Sequence, residues 1–289
     1  MNNDRVEKTI ELRAPRHRVW QAINNPKDFG TWFGLGEPLT LEGDFVPGAR
    51  VMGVWNVGGR EMRELFFTVE EVVPDTLLAF RWNPYEIPAG DDPANHPTTR
   101  IELRLEDCAI GTRLVVSEAG FAALPADKQN KREQNAGGWE IQVQAIACHV
   151  LGGVEAAVEQ HIARAPADVF RAITDPAQLA RYFADATGPL ANGAKVEWRW
   201  GDQRAEIECG QFADDATIGF AWNGAGTRTK VTLSVFADDA GTRLSIHEAP
   251  FPLTDDGARK AVAQTALWTR FAVGLAAHLE HGLGLRHGA

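Results

Sequence analysis

The stretch Gly111-Thr112-Arg113-Leu114-Val115-Val116-Ser117-Glu118-Ala119-Gly120-Phe121 returns as Gly241-Thr242-Arg243-Leu244-Ser245-Ile246-His247-Glu248-Ala249-Pro250-Phe251. Both stretches read as strands, and the segments before them, Ile101, Leu103 and Leu105 in one copy and Val231, Leu233 and Val235 in the other, alternate with mostly polar residues as half-buried β-strands do. Leu114, Val116 and Glu118 share parity, as do Leu244, Ile246 and Glu248, so each strand points one carboxylate toward its apolar face.

Working outward, the two copies keep matching in the same order. Arg13-Ala14-Pro15, Val19-Trp20, Ile23 and Asn25-Pro26 answer Arg164-Ala165-Pro166, Val169-Phe170, Ile173 and Asp175-Pro176. Trp32-Phe33 answers Tyr182-Phe183, Gly48-Ala49-Arg50-Val51 answers Gly193-Ala194-Lys195-Val196, and Trp55 falls on Trp200. Phe80-Arg81-Trp82-Asn83 corresponds to Phe220-Ala221-Trp222-Asn223. Two units of domain size indicate a tandem duplication, not a solenoid. The expected domains are 1–152 and 153–289. The second is shorter, chiefly because a tight Gly224-Ala225-Gly226 turn replaces the loop from Pro84 to Thr99.

Each unit reads as α+β. The first opens with a strand around Val6 to Leu12, then a helix that Pro15 can start and Pro26 stops. A second short helix ends near Trp32-Phe33. Strands follow over Arg50–Val57, Glu64–Val73, Leu77–Trp82 and Ile101–Leu105, with Pro47-Gly48 and Gly58-Gly59 as turn signals. A long helix closes each unit, its apolar face marked by Trp139, Val143, Ile146 and Val150 in one copy and Trp268, Ala272, Leu275 and Leu279 in the other. The expected architecture is a curved antiparallel sheet around that closing helix.

The chain has 289 residues, 44% hydrophobic and 24% charged, with a formal charge of −10 spread over both halves. No basic stripe favours nucleic acid, and no apolar run approaches the roughly 18 residues of a membrane span. Neither nucleic-acid binding nor membrane insertion is expected. Cys108, Cys148 and Cys209 are odd in number and widely spaced, which speaks against a disulfide framework or zinc site. With no leader-like N-terminus, a cytoplasmic protein is expected.

Each unit resembles the SRPBCC or START-like superfamily, with its helix-grip fold, and more closely the branch named for the C-terminal domain of the activator of the Hsp90 ATPase. The residues behind the resemblance are Ala14-Pro15, Val19-Trp20, Ile23, Pro26, Trp32-Phe33, the Gly111-Thr112-Arg113-Leu114 strand with Glu118 and Phe121, and Gly138-Trp139 read as opening the last helix. The second copy departs there, having Leu267-Trp268. The resemblance implies the fold, and for simpler members a binding role in stress or detoxification. By name alone it also implies a co-chaperone that contacts Hsp90, although nothing here resembles that activator's separate N-terminal domain.

A sheet that wraps a helix leaves a hollow unless side chains fill it, and its walls would carry Trp32, Trp55, Trp82 and Trp139, with Tyr182, Trp200, Trp222 and Trp268 as counterparts. The alternative is that these rings simply pack the core. Glu118 and Glu248 would face the hollow as a base or as an acceptor for a ligand's donor. The plainer alternative puts both at a strand end, on a wet rim or against a backbone N–H. His149 and His278 occupy equivalent places, and His278, His281 and His287 lie close together, but a histidine pair on a helix without a well-spaced third ligand gives no expected metal site. Nucleophile and phosphate-loop motifs are absent, and no cofactor is expected. The leading reading is a module that binds small hydrophobic or amphipathic molecules in one or both domains. Against it stand an enzyme of cyclase or hydrolase type using Glu118 or Glu248, and the co-chaperone.

Overall fold

Gly111 and Gly241 open the repeated stretch because backbone from the start of each unit passes directly over them. Their φ angles are +146° and +152°. A Cβ on Gly111 would stand 2.5 Å from the carbonyl oxygen of Leu12, and one on Gly241 closer still to that of Ile162. The next three residues of the motif complete the join. Thr112 Oγ1 donates to the Ala14 carbonyl at 2.8 Å and Thr242 Oγ1 to that of Arg164 at 2.7 Å. Arg113 pairs with Glu11 and Arg243 with Glu159 on the outer face, while Leu114 and Leu244 are fully buried.

The structure, a computed structural model, describes residues 4–34, 39–57, 60–88, 90–213 and 216–286. The chain divides into two units, Met1–Gly153 and Val154–Ala289. In the first, β1 (Arg5–Leu12) leads to α1 (Arg16–Asn24) and α2 (Pro26–Gly34), then β2 (Leu39–Glu42), β3 (Arg50–Val57), β4 (Arg60–Val73), β5 (Leu77–Trp82), β6 (Thr99–Cys108), β7 (Gly111–Ala119) and α3 (Lys131–Leu151). The second repeats this as β8 (Gly153–Ile162), α4 (Pro166–Thr174), α5 (Pro176–Tyr182), β9 (Asp185–Ala186), β10 (Lys195–Trp200), β11 (Gln203–Ala213), β12 (Thr217–Trp222), β13 (Thr229–Asp238), β14 (Gly241–Pro252) and α6 (Asp255–His281).

Each unit forms a seven-stranded sheet, ordered β1-β7-β6-β5-β4-β3-β2 and β8-β14-β13-β12-β11-β10-β9. Successive strands pair antiparallel, and β1 returns to pair antiparallel with β7. The short helices begin where Asn25 and Asp175 cap them. Asn25 Oδ1 accepts the backbone N–H of Lys27, Asp175 Oδ1 that of Ala177, and a proline follows each cap, where a missing N–H costs nothing. The core of the first unit lies between one sheet face and the three helices. Phe67, Phe80, Ile101 and Leu103 from the strands meet Val19, Ile23, Phe29 and Ile146 from the helices, all 0–1% exposed.

Two expectations are corrected here. The last helix does not open at Gly138-Trp139 but starts at Lys131, and its second-unit counterpart starts at Asp255 behind the Thr254 cap. The early turns of α3 carry Arg132, Glu133, Gln134 and Asn135, so the apolar periodicity begins only at Trp139. The strand expected from Glu64 starts earlier, at Arg60. The Gly58-Gly59 turn and His287 fall outside the described residues.

Candidate functional site

β5 ends at Trp82 and β6 begins at Thr99, and these two residues face each other in register. Glu118, near the end of β7, stands opposite Ile101. One end of the sheet therefore collects an indole, a hydroxyl and a carboxylate. α3 passes over it with Asn135 and Trp139, one helical turn apart and so on one face.

Glu118 is 0% exposed and gathers all four neighbours. Its Oε1 accepts from Thr99 Oγ1 at 2.5 Å, Trp82 Nε1 at 2.8 Å and Asn135 Nδ2 at 2.9 Å. Its Oε2 accepts from Trp139 Nε1 at 2.7 Å and Asn135 Nδ2 at 3.1 Å. The wet-rim alternative is thereby overturned: the parity of β7 carries the carboxylate inward, and its partners are side chains. Burial pushes the Glu118 carboxyl above the usual carboxylate range, against the pull of the Thr99, Trp82, Trp139 and Asn135 donors. Indole and amide N–H groups only donate, so three of the four partners favour the anion. A buried anion is costly unless such donors replace its water.

The second unit rebuilds the arrangement. Glu248, also 0% exposed, accepts from Thr229 Oγ1 at 2.6 Å and Trp222 Nε1 at 2.8 Å through Oε1, and from Trp268 Nε1 at 2.6 Å through Oε2. Burial again raises the carboxyl, opposed by Thr229, Trp268, Trp222 and the nearby His247. Gln264 takes the place of Asn135 one turn before the tryptophan, and its Oε1 is buried without a hydrogen-bond partner. In each unit this carboxylate clasps the closing helix to the ends of three strands.

The clasps differ in access. Trp82 and Asn135 are only half-buried, whereas Trp222 and Trp268 are 0% and Gln264 6% exposed. Gly224 closes the second clasp, since a Cβ there would lie 2.6–2.7 Å from three carbons of the Trp222 ring. The first unit has Pro84 at that position, followed by the long loop. Asn83 fastens the loop by donating to the carbonyls of Pro93 at 3.2 Å and Pro97 at 3.3 Å. The interiors differ too. Trp198, fully buried on β10, lies opposite Ala205, whereas the equivalent Gly53 on β3 lies opposite Leu65. Trp198 packs against Phe183, Phe220 and Trp222 with ring centroids 5.5, 5.5 and 6.1 Å away.

The remaining candidate residues take distinct places. Trp32 Nε1 donates to the Ala22 carbonyl at 2.8 Å, and Tyr182 OH donates to the equivalent Ala172 carbonyl at 3.1 Å. Both rings thus staple the two short helices together, apart from the carboxylate. Trp200 joins the second cluster, 5.7 Å from Phe183 and 6.5 Å from Trp222, with its Nε1 on Gln203. Trp55 is half-buried on β3, near Gly34 at the end of α2. Phe33 completes the first cluster, edge-on to Trp82 at 6.0 Å and to Trp139 at 6.4 Å. His278 stacks on Tyr182 at 5.8 Å and His281 faces Glu280. Reading the sequence missed Thr99, Asn135, Phe33, Trp198 and their counterparts. The usable signal was their pairing across the repeat, Thr99 with Thr229 and Asn135 with Gln264.

Known proteins match either one unit or nearly the whole chain. No curated protein matches the chain in sequence. Among solved structures, the Staphylococcus saprophyticus protein SSP2350 shares 19% identity over 47% of this chain and 98% of its own, with a TM-score of 0.42. DynU16, described as a protein of the dynemicin biosynthetic locus, shares 20% identity over 94% of this chain and 98% of its own, with a TM-score of 0.40. The Aha1 dimer from Colwellia psychrerythraea shares 17% identity over 45% and 98%, with a TM-score of 0.39. The family model described as activator of Hsp90 ATPase homolog 1-like protein matches residues 13–150 and again 163–280. The chain therefore belongs to the family of activator of Hsp90 ATPase homolog 1-like proteins and carries that family's domain twice.

Proposed function

We propose that the protein binds small apolar or amphipathic molecules, and that the first domain does so at the cleft bounded by Trp82, Trp139, Asn135 and Glu118. One observation carries this reading: two nearly identical clasps differ in that Trp82 and Asn135 are half-buried while their counterparts Trp222 and Gln264 are buried. A ligand that enters there finds aromatic walls with a single polar anchor, the usual make-up of a small-molecule site. The second domain, with Trp198 added and Gly224 set against Trp222, acts in this reading as a closed scaffold. Cytoplasmic residence and a part in a stress or detoxification response belong to the same proposal. The enzyme alternative is weaker because Glu118 is already occupied by donors, which suits an acceptor better than a mobile base.

Nile red, a neutral apolar dye, tests the reading directly. Its emission should rise on binding, fall back by about tenfold in apparent affinity for Trp82→Ala, and change little for Trp222→Phe. Native mass spectrometry of freshly purified protein should also find a bound small molecule. No dye binding and no bound mass would sink the proposal.

A further inference from the structure

The chemistry around Glu118 specifies what kind of molecule the half-buried clasp would take. The carboxylate has four partners, and all are electrically neutral: two indoles, one hydroxyl and one amide. No charged group bears on it among the described residues. Lys131, one turn before Asn135 on α3, feels the charges of Lys128 and Glu86. The site is thus a buried carboxylate without a counter-charge, met by the N–H edges of two indoles.

The four donors are not equally fixed. Trp82 and Thr99 sit on paired strands, and Trp139 is 3% exposed and packed against Phe33 and Trp82. Asn135 alone is held on a half-exposed helix face, and its Nδ2 touches both carboxylate oxygens, at 2.9 and 3.1 Å. It can swing out and leave a place for one donor group that spans both oxygens. An ammonium fills that place better than an amide, because it supplies the missing charge to both carboxylate oxygens. A ligand carboxylate in the same place would meet Glu118 as a like charge.

Resting on the binding reading above, we propose that the ligand of the first domain is a flat apolar molecule bearing a protonated amine, whose ammonium replaces the Asn135 amide on Glu118 beside Trp82 and Trp139. The second clasp, with Trp222, Trp268 and Gln264 buried, takes no part.

Three probes with one ring system separate the outcomes: 2-naphthylmethylamine, 2-naphthalenemethanol and 2-naphthoate, titrated calorimetrically into the whole chain near neutral pH. The amine should bind at least about tenfold tighter than the alcohol, and the naphthoate weakest of the three. Glu118→Gln should reduce the amine's advantage to about twofold, whereas Glu248→Gln leaves it unchanged. Should Glu118→Gln fail to fold, Asn135→Lys supplies an ammonium from the chain itself and should abolish the preference. Equal binding of all three probes, a preference for naphthoate, or an amine preference that survives both variants would overturn the amine assignment while leaving the binding reading intact. If none of the three binds, the binding reading falls and takes this one with it.

Discussion

The clasp in the first domain and the clasp in the second use the same carboxylate, the same pair of tryptophans and the same threonine, yet one is half-buried at Trp82 and Asn135 and the other buried throughout. The polar core differs in its amide, Asn135 against Gln264, and two further differences lie around it. One is a turn: Gly224 lets the backbone press on the Trp222 ring, while Pro84 sends the chain into a loop that Asn83 ties to the carbonyls of Pro93 and Pro97. The other is a volume exchange, in which Trp198 with Ala205 replaces Gly53 with Leu65. A duplicated domain can thus keep its helix-to-sheet fastening and change access by editing what surrounds it.

The widest test of the contrast removes the matched indoles. Trp222→Ala empties a fully buried site and should cost about 3–5 kcal/mol, whereas Trp82→Ala, at a half-exposed position, should cost about 1–3 kcal/mol. Urea unfolding of both variants measures this, and equal losses would erase the distinction between open and closed. A finer probe is Gly224→Ala. The added methyl meets the Trp222 ring too closely, so the turn or ring must shift, at about 1–3 kcal/mol by thermal or urea denaturation. An unchanged midpoint would mean that the turn does not hold the second clasp shut.

The smallest effect concerns what the clasps share. Burial raises the folded-state value of both Glu118 and Glu248, so each binds its proton more readily folded than unfolded. Their contribution to stability is complete below the unfolded-chain value of about 4.3 and is lost as pH climbs through the raised folded value. The stability of the native protein relative to Glu118→Gln or Glu248→Gln should therefore fall with rising pH in that window, by at most about 1.4 kcal/mol per pH unit for each group. Urea unfolding across the window reads it out. A relative stability that rises with pH in either half would show that the donors outweigh burial there.

The fold was legible because two periodicities and one internal repeat agree. The alternation of Leu114, Val116 and Glu118 also placed the carboxylate on the right face. What the sequence concealed were partners that come together only through register and helix packing. Thr99 sits at the start of an ordinary strand, and Asn135 in a polar run that reads as a connection, although it is already helical. Trp32 and Tyr182 were legible as aromatic and internal, but their hydrogen bonds to Ala22 and Ala172 depend on the packing angle of two short helices. Trp and Tyr are interchangeable there because each carries one ring donor that reaches the equivalent carbonyl.

Each clasp is completed by the element that its unit makes last, since Trp139 and Trp268 lie on the closing helices. None of its members is borrowed from the other half of the chain. During synthesis, then, the leading copy can fasten itself as soon as residues up to about Leu151 have left the ribosome, while the trailing copy is still unmade. Because the two sequences are so alike, this order lowers the chance that a strand of one copy is captured by the sheet of the other.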